Sequence, residues 1–223
     1  VSVENPAADA LASVLLEQVC DELESELRAA VQTQGVFMTG RYAPGYGDCP
    51  LDGERVGEMV YIDLLNRARD YIHIMTPYLI LDGELETALK FAAERGVDVH
   101  LILPGKPDKQ FPYALAKSHY SALLDSGVKI SEWSPGFVHA KVFVVDDREA
   151  VVGTINLDYR SLYHHFENAV WMCGTDCIAN MEADFQDTLV RCRRVERTKE
   201  SIWQGKKLLH LAGILLKFIA PLV

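Results

Sequence analysis

The amino-acid sequence predicts an α/β domain in which a mostly parallel, mixed sheet is flanked by helices on both faces. The first observation is an alternation of short apolar runs with longer stretches of helical periodicity, repeated between residues 56 and 133. Strands that alternate with helices pair in parallel, because each helix carries the chain back across the sheet. The second observation is a pair of apolar runs separated by Asp146-Asp147-Arg148, which predicts that a hairpin follows.

The spacing of apolar residues predicts the helices and strands in order, and Gly, Pro and capping residues mark where they begin and end. Apolar residues recur at helical spacing from Leu11 to Leu27, and the Gly- and Pro-containing stretch 35–54 is a predicted loop. Asp82 is a predicted helix cap, and Gly96 a predicted helix end. The predicted helices cover residues 56–70, 82–95, 112–125 and 175–194, and the predicted strands cover residues 71–76, 97–103, 128–133, 137–145 and 166–173.

The totals narrow the class of protein. With 223 residues, 49% of them apolar, the chain is long enough to bury a sizeable core. Five cysteines are an odd number, and none has CxxC spacing. Neither a disulfide framework nor a zinc site is predicted, and a reducing compartment is favoured.

Charge is distributed unevenly along the chain. Between Arg191 and Lys217 there are eight basic residues and two acidic ones, although the whole chain has a net charge of −10. The acidic body makes nucleic acid an unlikely partner. The basic and apolar tail fits anionic lipid headgroups, the alternative being a solvated helix face.

The apolar end of the chain, residues 208–223, is interrupted by His210, Lys217 and Pro221. It is too short and too broken to predict a transmembrane helix. Two interpretations remain open, which are packing onto the domain and contact with a membrane surface.

The hairpin carries the candidate site. His139 and Lys141 are two residues apart, so both side chains leave the same face of a strand. A turn centred near Asp147 would put Lys141 opposite Gly153 and bring Asn156 beside His139. Gly153 would let a ligand approach the backbone closely. An imidazole, an ammonium and a carboxamide on one surface suit a phosphate oxyanion, whereas the alternative is the polar face of an edge strand.

These spacings resemble the HKD motif of the phospholipase D superfamily, with His139, Lys141, Asp146, Gly153 and Asn156 in register. Thr154 stands where the family commonly has Ser. The flanking runs Gly-Phe-Val-His-Ala-Lys and Gly-Thr-Ile-Asn-Leu-Asp-Tyr-Arg-Ser-Leu are similar to the C-terminal repeat of bacterial cardiolipin synthases. The resemblance extends over roughly residues 35–223. It implies three parts, which are an N-terminal helix and linker from a preceding repeat (1–45), a phospholipase D-like domain (46–195) and a basic, apolar helical tail (196–223).

The resemblance also implies roles for individual residues. Two HKD motifs meet, one histidine attacks phosphorus, and the other acts as acid and base. His139 then has the acid/base role, with nucleophile as the lesser possibility. Lys141 and Asn156 bind phosphate oxygens, Gly153, Thr154 and Arg160 (with Tyr159 a further candidate) line the substrate site, and Glu167 orients His139. The resemblance places Asp146 among the catalytic residues. Asp146 lies five residues after Lys141, however, and this odd separation predicts that the Asp146 carboxylate has a structural role. No cofactor and no metal is implied.

The implied activity is the joining of two phosphatidylglycerol molecules into cardiolipin and glycerol at the cytoplasmic side of a bacterial cell membrane. Because only one HKD motif is present, the chain is expected to be a piece of a two-repeat enzyme, or else to pair with a second copy. The alternatives in function are a homodimeric phosphodiesterase, acting on phospholipid or nucleic acid, and a catalytically inert module.

Overall fold

The computed structural model describes residues 55–164 and 167–204, together with Ser25, Gly213 and Leu216. Apart from Ser25, all of them belong to one compact unit, Tyr42–Val223. The predicted N-terminal helix, the loop at 35–54 and most of the C-terminal tail lie outside the described residues.

This part of the chain contains seven strands and six helices. The strands are β1 (Tyr71–Met75), β2 (Asp98–Pro104), β3 (Lys129–Trp133), β4 (Val142–Val145), β5 (Glu149–Gly153), β6 (Ala169–Cys173) and β7 (Cys192–Arg194). The helices are α1 (Val56–Arg67), α2 (Gly83–Glu94), α3 (Gln110–Asp125), α4 (Tyr159–Tyr163), α5 (Cys177–Leu189) and α6 (Lys199–Trp203). Asp82 caps α2 as predicted, because its carboxylate accepts a hydrogen bond from the Leu85 amide at 2.8 Å.

The strands form one mixed sheet in the order β6-β5-β4-β1-β2-β3-β7. The α/β class and the mixed sheet are confirmed, but the expectation of a mostly parallel sheet is wrong. Only β1 with β2 and β2 with β3 pair in parallel among the described strands. The other four pairings are antiparallel. The reason is connectivity, since α2 and α3 provide the crossovers that parallel pairing needs, whereas a tight turn joins β4 to β5.

Two element boundaries differ from the prediction by five residues. Strand β4 begins at Val142, which pairs with the last residue of β1, Met75. The chain after β1 enters Pro77, which has no amide hydrogen to donate, and residues 137–141 precede the strand. The helix predicted for residues 175–194 ends at Leu189, and the remainder forms β7 against β3.

Helices cover both faces of the sheet, as predicted. The first three helices pack on one face around fully buried residues such as Tyr61, Leu89 and Leu101. Helix α5 covers the other face, where Phe185 packs with Met75 and Ile102. None of the described helices has both the length and the apolar content needed to cross a membrane.

Leu216, one of the two described residues of the apolar end, is buried against Ile80, Ala114 and Leu115. Gly213 lies so close to α3 that an added Cβ would be 2.5 Å from the Ala114 carbonyl oxygen. At these two positions the chain packs onto the domain, which is the first of the two interpretations of the tail.

Strand β6 is the outermost strand on its side of the sheet, and four of its five residues are exposed. Val170 and Trp171 of β6 lie beside Val152 of β5, and all three side chains are more than one-third exposed. This edge, defined by Val152, Val170 and Trp171, is called the β6 edge below.

Candidate active site

The hairpin that carries the motif has the predicted register. Val142 pairs with Val152, and the Gly153 amide donates to the Lys141 carbonyl oxygen at 3.2 Å. The turn residues Asp146 and Asp147 have φ of 51° and 53°. Two such left-handed residues match the right-handed twist of the flanking strands, and aspartate tolerates this conformation better than most residues.

His139 and Lys141 stand just before β4, at the carboxyl ends of the parallel strands. The His139 side chain is exposed, whereas Lys141 is only 7% exposed. The Lys141 ammonium donates a hydrogen bond to the His139 carbonyl oxygen at 2.8 Å. The His139 ring lies 5.7 Å from the Phe137 ring, between centroids. The site therefore offers a solvent-facing imidazole whose main chain is fixed by a nearly buried cation.

Two carboxylates act on the Lys141 ammonium. Burial lowers the pKa of Lys141 below its usual range, while the negative charges of Glu167 and Asp158 oppose that shift. Burial is the stronger influence, so the pKa remains lowered. Lysine that is partly desolvated in this way binds an arriving phosphate more strongly than a hydrated surface lysine would.

Asn156 stands on the segment that follows β5. Its Nδ2 lies 2.9 Å from Ser161 Oγ in α4. The same segment is fixed from behind, because the Tyr61 hydroxyl donates to the Ile155 carbonyl oxygen at 3.1 Å and the Leu157 amide donates to Thr76 Oγ1 at 3.3 Å. The convergence of Asn156 with His139 remains a prediction.

Thr154 and Glu167 are joined directly. The Thr154 hydroxyl donates to Glu167 Oε2, and the Asn168 amide donates to Thr154 Oγ1 at 2.9 Å. The Thr154 hydroxyl, which a serine at this position would also provide, thus bonds to both Glu167 and Asn168. Orientation of His139 by Glu167 stays a prediction.

Strand β6 approaches Gly153 closely. A Cβ built at Gly153 would lie 2.2 Å from the Asn168 carbonyl oxygen and 2.6 Å from Ala169 Cα. Pairing with β6 is therefore a reason for glycine at this position. The approach of a ligand to the Gly153 backbone stays a prediction.

Asp146 has a structural position. Its carboxylate accepts hydrogen bonds from the amides of Arg69, Asp70 and Tyr71 at 2.8, 2.9 and 2.8 Å. These contacts tie the hairpin turn to the start of β1, at the opposite end of β4 from Lys141. The spacing argument for a structural carboxylate agrees with this geometry, and the place of Asp146 among the catalytic residues does not.

Helix α4 holds the remaining predicted residues and two that the sequence did not single out. Arg160 is exposed and Tyr159 is half-buried. Asp158 is only 6% exposed, and its carboxylate caps α4 by accepting from the Ser161 amide at 2.8 Å. The signal for Asp158 and Ser161 was local, an Asp three residues before a Ser at a helix start, and Ser161 is only five residues from Asn156. The nearness of Asp158 to Lys141, by contrast, depends on tertiary packing.

A shallow apolar groove borders the site at the ends of β1 and β2. Tyr78 and Phe137 lie on its wall with ring centroids 6.2 Å apart, and Tyr113 and Pro112 of α3 form the other side. The Tyr78 hydroxyl donates to Asp108 Oδ2 at 2.6 Å. Ligands of open α/β sheets bind at this end of the strands.

Glu58, Asp82 and Glu84 are the one group of carboxylates near enough to share a metal ion within the described part of the chain. The protein already satisfies them. Arg55 pairs with Glu58 at 3.0 Å and also with Glu84, and the Tyr163 hydroxyl contacts Glu58 at 2.6 Å and also Asp82. Burial raises the pKa of Glu58, whereas hydrogen bonds lower the pKa of Asp82 despite its burial.

The hairpin thus has an exposed imidazole and a nearly buried ammonium at the start of one strand and a carboxamide just beyond the other, in the order of the predicted motif. The family model described as "Cardiolipin synthase, PLD-like domain" matches residues 61–189. The chain therefore belongs to this family of phospholipase D-like domains.

Relatives of known sequence agree with this assignment. An uncharacterized protein of Streptococcus mutans is 62% identical over 182 residues, which is 82% of this chain and 39% of that protein. Cardiolipin synthase 2 of Bacillus anthracis is 43% identical over 58% of this chain and 25% of its own length. The chain thus spans between a quarter and two-fifths of these two relatives.

Solved structures show the same fold. Nuc, a phospholipase D family member from Salmonella typhimurium, superposes with a TM-score of 0.58 at 20% identity, covering 65% of this chain and 93% of Nuc. The phosphatidylserine synthase of Haemophilus influenzae also gives a TM-score of 0.58, at 19% identity, over 74% of this chain and 44% of that one.

Proposed function

We propose that this chain supplies one HKD half-site of a phosphatidyltransferase, which joins two phosphatidylglycerol molecules into cardiolipin and glycerol. The observation that carries the proposal is that the nearly buried Lys141 ammonium bonds to the main-chain carbonyl oxygen of His139, whose imidazole is exposed. The 43% identity to a cardiolipin synthase supports the lipid substrate. An anionic phosphodiester between two glycerols is the chemical group that a cationic, donor-rich site of this kind binds.

The reaction needs two imidazoles. A nucleophilic nitrogen from the other half-site attacks phosphorus, a P–N bond forms, and the P–O bond to the departing glycerol breaks. His139 gives its proton to that glycerol oxygen. His139 then removes the proton from a hydroxyl of the second phosphatidylglycerol, whose oxygen attacks phosphorus as the P–N bond breaks. Lys141 and Asn156 hold the non-bridging oxygens in both steps. An acid/base group of this kind accelerates transfer by about 10²–10⁴.

The first HKD half is the partner that this chemistry requires. Of the described histidines other than His139, His73 bonds to Glu182 at 2.9 Å, His119 to Glu86 at 2.7 Å and His100 to Ser131 at 2.9 Å. His164 is exposed at the end of α4. Since the sequence holds one His-x-Lys pattern, we assign the second imidazole of the reaction to another repeat or to another copy of the chain.

A phospholipid substrate requires that the active site lies at a membrane surface. We assign the domain to the cytoplasmic side of that membrane. The groove beside Phe137 supports a site at the membrane surface, because it offers apolar surface next to the phosphate-binding residues. The lipid's glycerol and the first part of an acyl chain would lie along Tyr78 and Phe137 while the phosphate meets Lys141.

A homodimeric phosphodiesterase is the second candidate. It is favoured by the match to Nuc, in which 65% of this chain covers nearly all of a complete protein. One domain of this fold can thus constitute a whole chain. Such a pair would bring two copies of His139 together and use water as the acceptor.

The experiment incubates the purified chain, alone and with a first HKD half, with phosphatidylglycerol vesicles and separately with plasmid DNA. Cardiolipin and glycerol as products, lost in His139→Ala, support the transferase. Phosphatidic acid or nicked plasmid supports the phosphodiesterase. A monomeric chain that stays inert with each substrate, even beside a first HKD half, contradicts both.

A further inference from the structure

The contact between Asn156 and Ser161 leaves two groups without a described hydrogen bond, which are the Asn156 amide oxygen and the hydrogen of the Ser161 hydroxyl. Asn156 Nδ2 lies 2.9 Å from Ser161 Oγ, and Ser161 is 5% exposed. Asn156 Oδ1 is buried and has no hydrogen-bond partner in the part of the chain that the structure describes. With the amide in this orientation Nδ2 is the donor, and no described hydrogen bond uses the hydrogen of the Ser161 hydroxyl.

A half-turn of the amide changes which atom lacks a partner. The nitrogen and oxygen of a carboxamide exchange places in nearly the same volume, so hydrogen bonding decides between the two orientations. In the reversed orientation the Ser161 hydroxyl donates to Asn156 Oδ1, so the hydroxyl hydrogen and the amide oxygen are both used. The position without a described partner is then occupied by Nδ2, a donor, and this orientation is fully paired only when a ligand with an acceptor atom binds there.

The Ser161 hydroxyl stands on a rigid support. Its residue is in the first turn of α4, and its amide donates to the Asp158 cap at 2.8 Å. The preceding segment is held by the Ile80 amide, which donates to the Leu157 carbonyl oxygen at 2.7 Å. A donor fixed in this way can select one orientation of a neighbouring amide.

We infer that Ser161 is a positioning residue, which turns the Asn156 amide so that Nδ2 faces the phosphoryl group. This inference rests on the proposed function. A phosphoryl oxygen is an acceptor, so it pairs with Nδ2 and is repelled by Oδ1. Without Ser161 the two orientations become similar in energy, and only one of them binds phosphate.

The first arm of the test measures the orientation itself in the full chain. Nuclear Overhauser contacts are recorded between the two Nδ2 hydrogens of Asn156 and the β-hydrogens of Ser161. We expect these contacts to be weak or missing in the wild type while those from the Asn156 β-hydrogens are strong. Strong contacts from the Nδ2 hydrogens would overturn the inference, whatever the protein catalyses.

The second arm measures the affinity for inorganic phosphate by titration. Ser161→Ala is expected to weaken binding by about tenfold, and Ser161→Thr, which keeps the hydroxyl, to restore it to within about threefold of the wild type. Asn156→Asp should weaken binding at least as much, because its carboxylate can accept from Ser161 but cannot donate to phosphate. Ser118→Ala, which removes a hydroxyl bonded to the Leu115 carbonyl oxygen in α3, is the matched control and should bind as the wild type does.

The outcomes separate the two proposals. Wild-type protein that binds no phosphate and transfers no lipid contradicts the proposed function, while the orientation arm still decides about Ser161. Wild-type protein that binds phosphate, with Ser161→Ala binding equally well in a folded state, overturns the role of Ser161 alone. Unfolding of Ser161→Ala leaves Ser161→Thr to decide, since failure of the threonine variant to restore binding also contradicts the inference.

Discussion

The Lys141 ammonium donates its hydrogen bond to the carbonyl oxygen of His139, the residue two positions before it, at 2.8 Å. The cation that would bind phosphate therefore also holds the main chain from which the imidazole projects. Loss of the lysine removes a charge and loosens the histidine at once.

Substitution of Lys141 by methionine is expected to lower the rate of phosphatidyl transfer by about 10²–10³, the usual effect of removing one preorganised group at a developing oxyanion. Steady-state rates on phosphatidylglycerol vesicles measure this, with Lys129→Met as the control, since Lys129 lies half-exposed and pairs with Asp98. A Lys141→Met rate within threefold of the wild type would contradict the assignment.

The pH dependence of activity gives a separate prediction about Lys141. Because burial lowers its pKa, the ammonium loses its proton at a lower pH than an exposed lysine, and phosphate binding weakens there. In Lys141→Arg the guanidinium stays charged, so the alkaline fall in activity should move to higher pH. Rate profiles of both proteins check this, and an unchanged alkaline limb argues against it.

Asp146→Ala is expected to reduce stability while leaving chemistry intact. It removes the acceptor of three main-chain amides, and we expect a loss of about 2–4 kcal/mol in the free energy of unfolding. Urea unfolding measures the loss. The control is Asp147→Ala, which removes the acceptor of a single hydrogen bond from the Tyr71 hydroxyl. A stable Asp146→Ala protein that has lost turnover would make Asp146 a catalytic residue instead.

Glu58→Gln tests the raised pKa of the Glu58 carboxyl. A carboxyl whose pKa is raised on folding contributes stability at low pH, and this contribution is lost as pH rises towards its folded pKa. Glutamine resembles the protonated acid at every pH, so the variant should gain stability relative to the wild type as pH increases from acidic to neutral. Unfolding curves at pH 5 and 8 are the measurement. A constant difference between the two proteins would mean that Glu58 does not retain a proton.

Phe137→Ala tests the groove. The Phe137 ring lies between Tyr78 and His139, so its loss should weaken binding of a lipid more than binding of a small phosphodiester. We expect KM for phosphatidylglycerol to rise by about tenfold, with little change for bis(p-nitrophenyl) phosphate. Equal changes for both substrates would mean that the ring supports only the position of His139.

The sequence predicted the first half of the domain well, because β1, β2, β3 and the helices between them have clear local periodicity. The hairpin register was also accessible, since Asp146 and Asp147 mark a tight turn and fix Lys141 opposite Gly153. Strand β7 was missed because it is three residues long and basic. It exists through pairing with β3, where Arg193 meets the buried Glu132 at 2.6 Å.

Other features of the site could not be predicted because they depend on contacts between distant segments. One reason for glycine at position 153 is the carbonyl oxygen of Asn168 on the next strand. No period or spacing in the sequence encodes how closely two such segments approach.

The β6 edge has a practical consequence for anyone who prepares this domain by itself. An outermost strand with exposed apolar side chains can pair with the same strand of another molecule, because the main-chain N–H and C=O groups along its outer side are unpaired. Such pairing leads to aggregation. Concentrated samples are expected to aggregate with time, and Val170→Lys is expected to slow this aggregation.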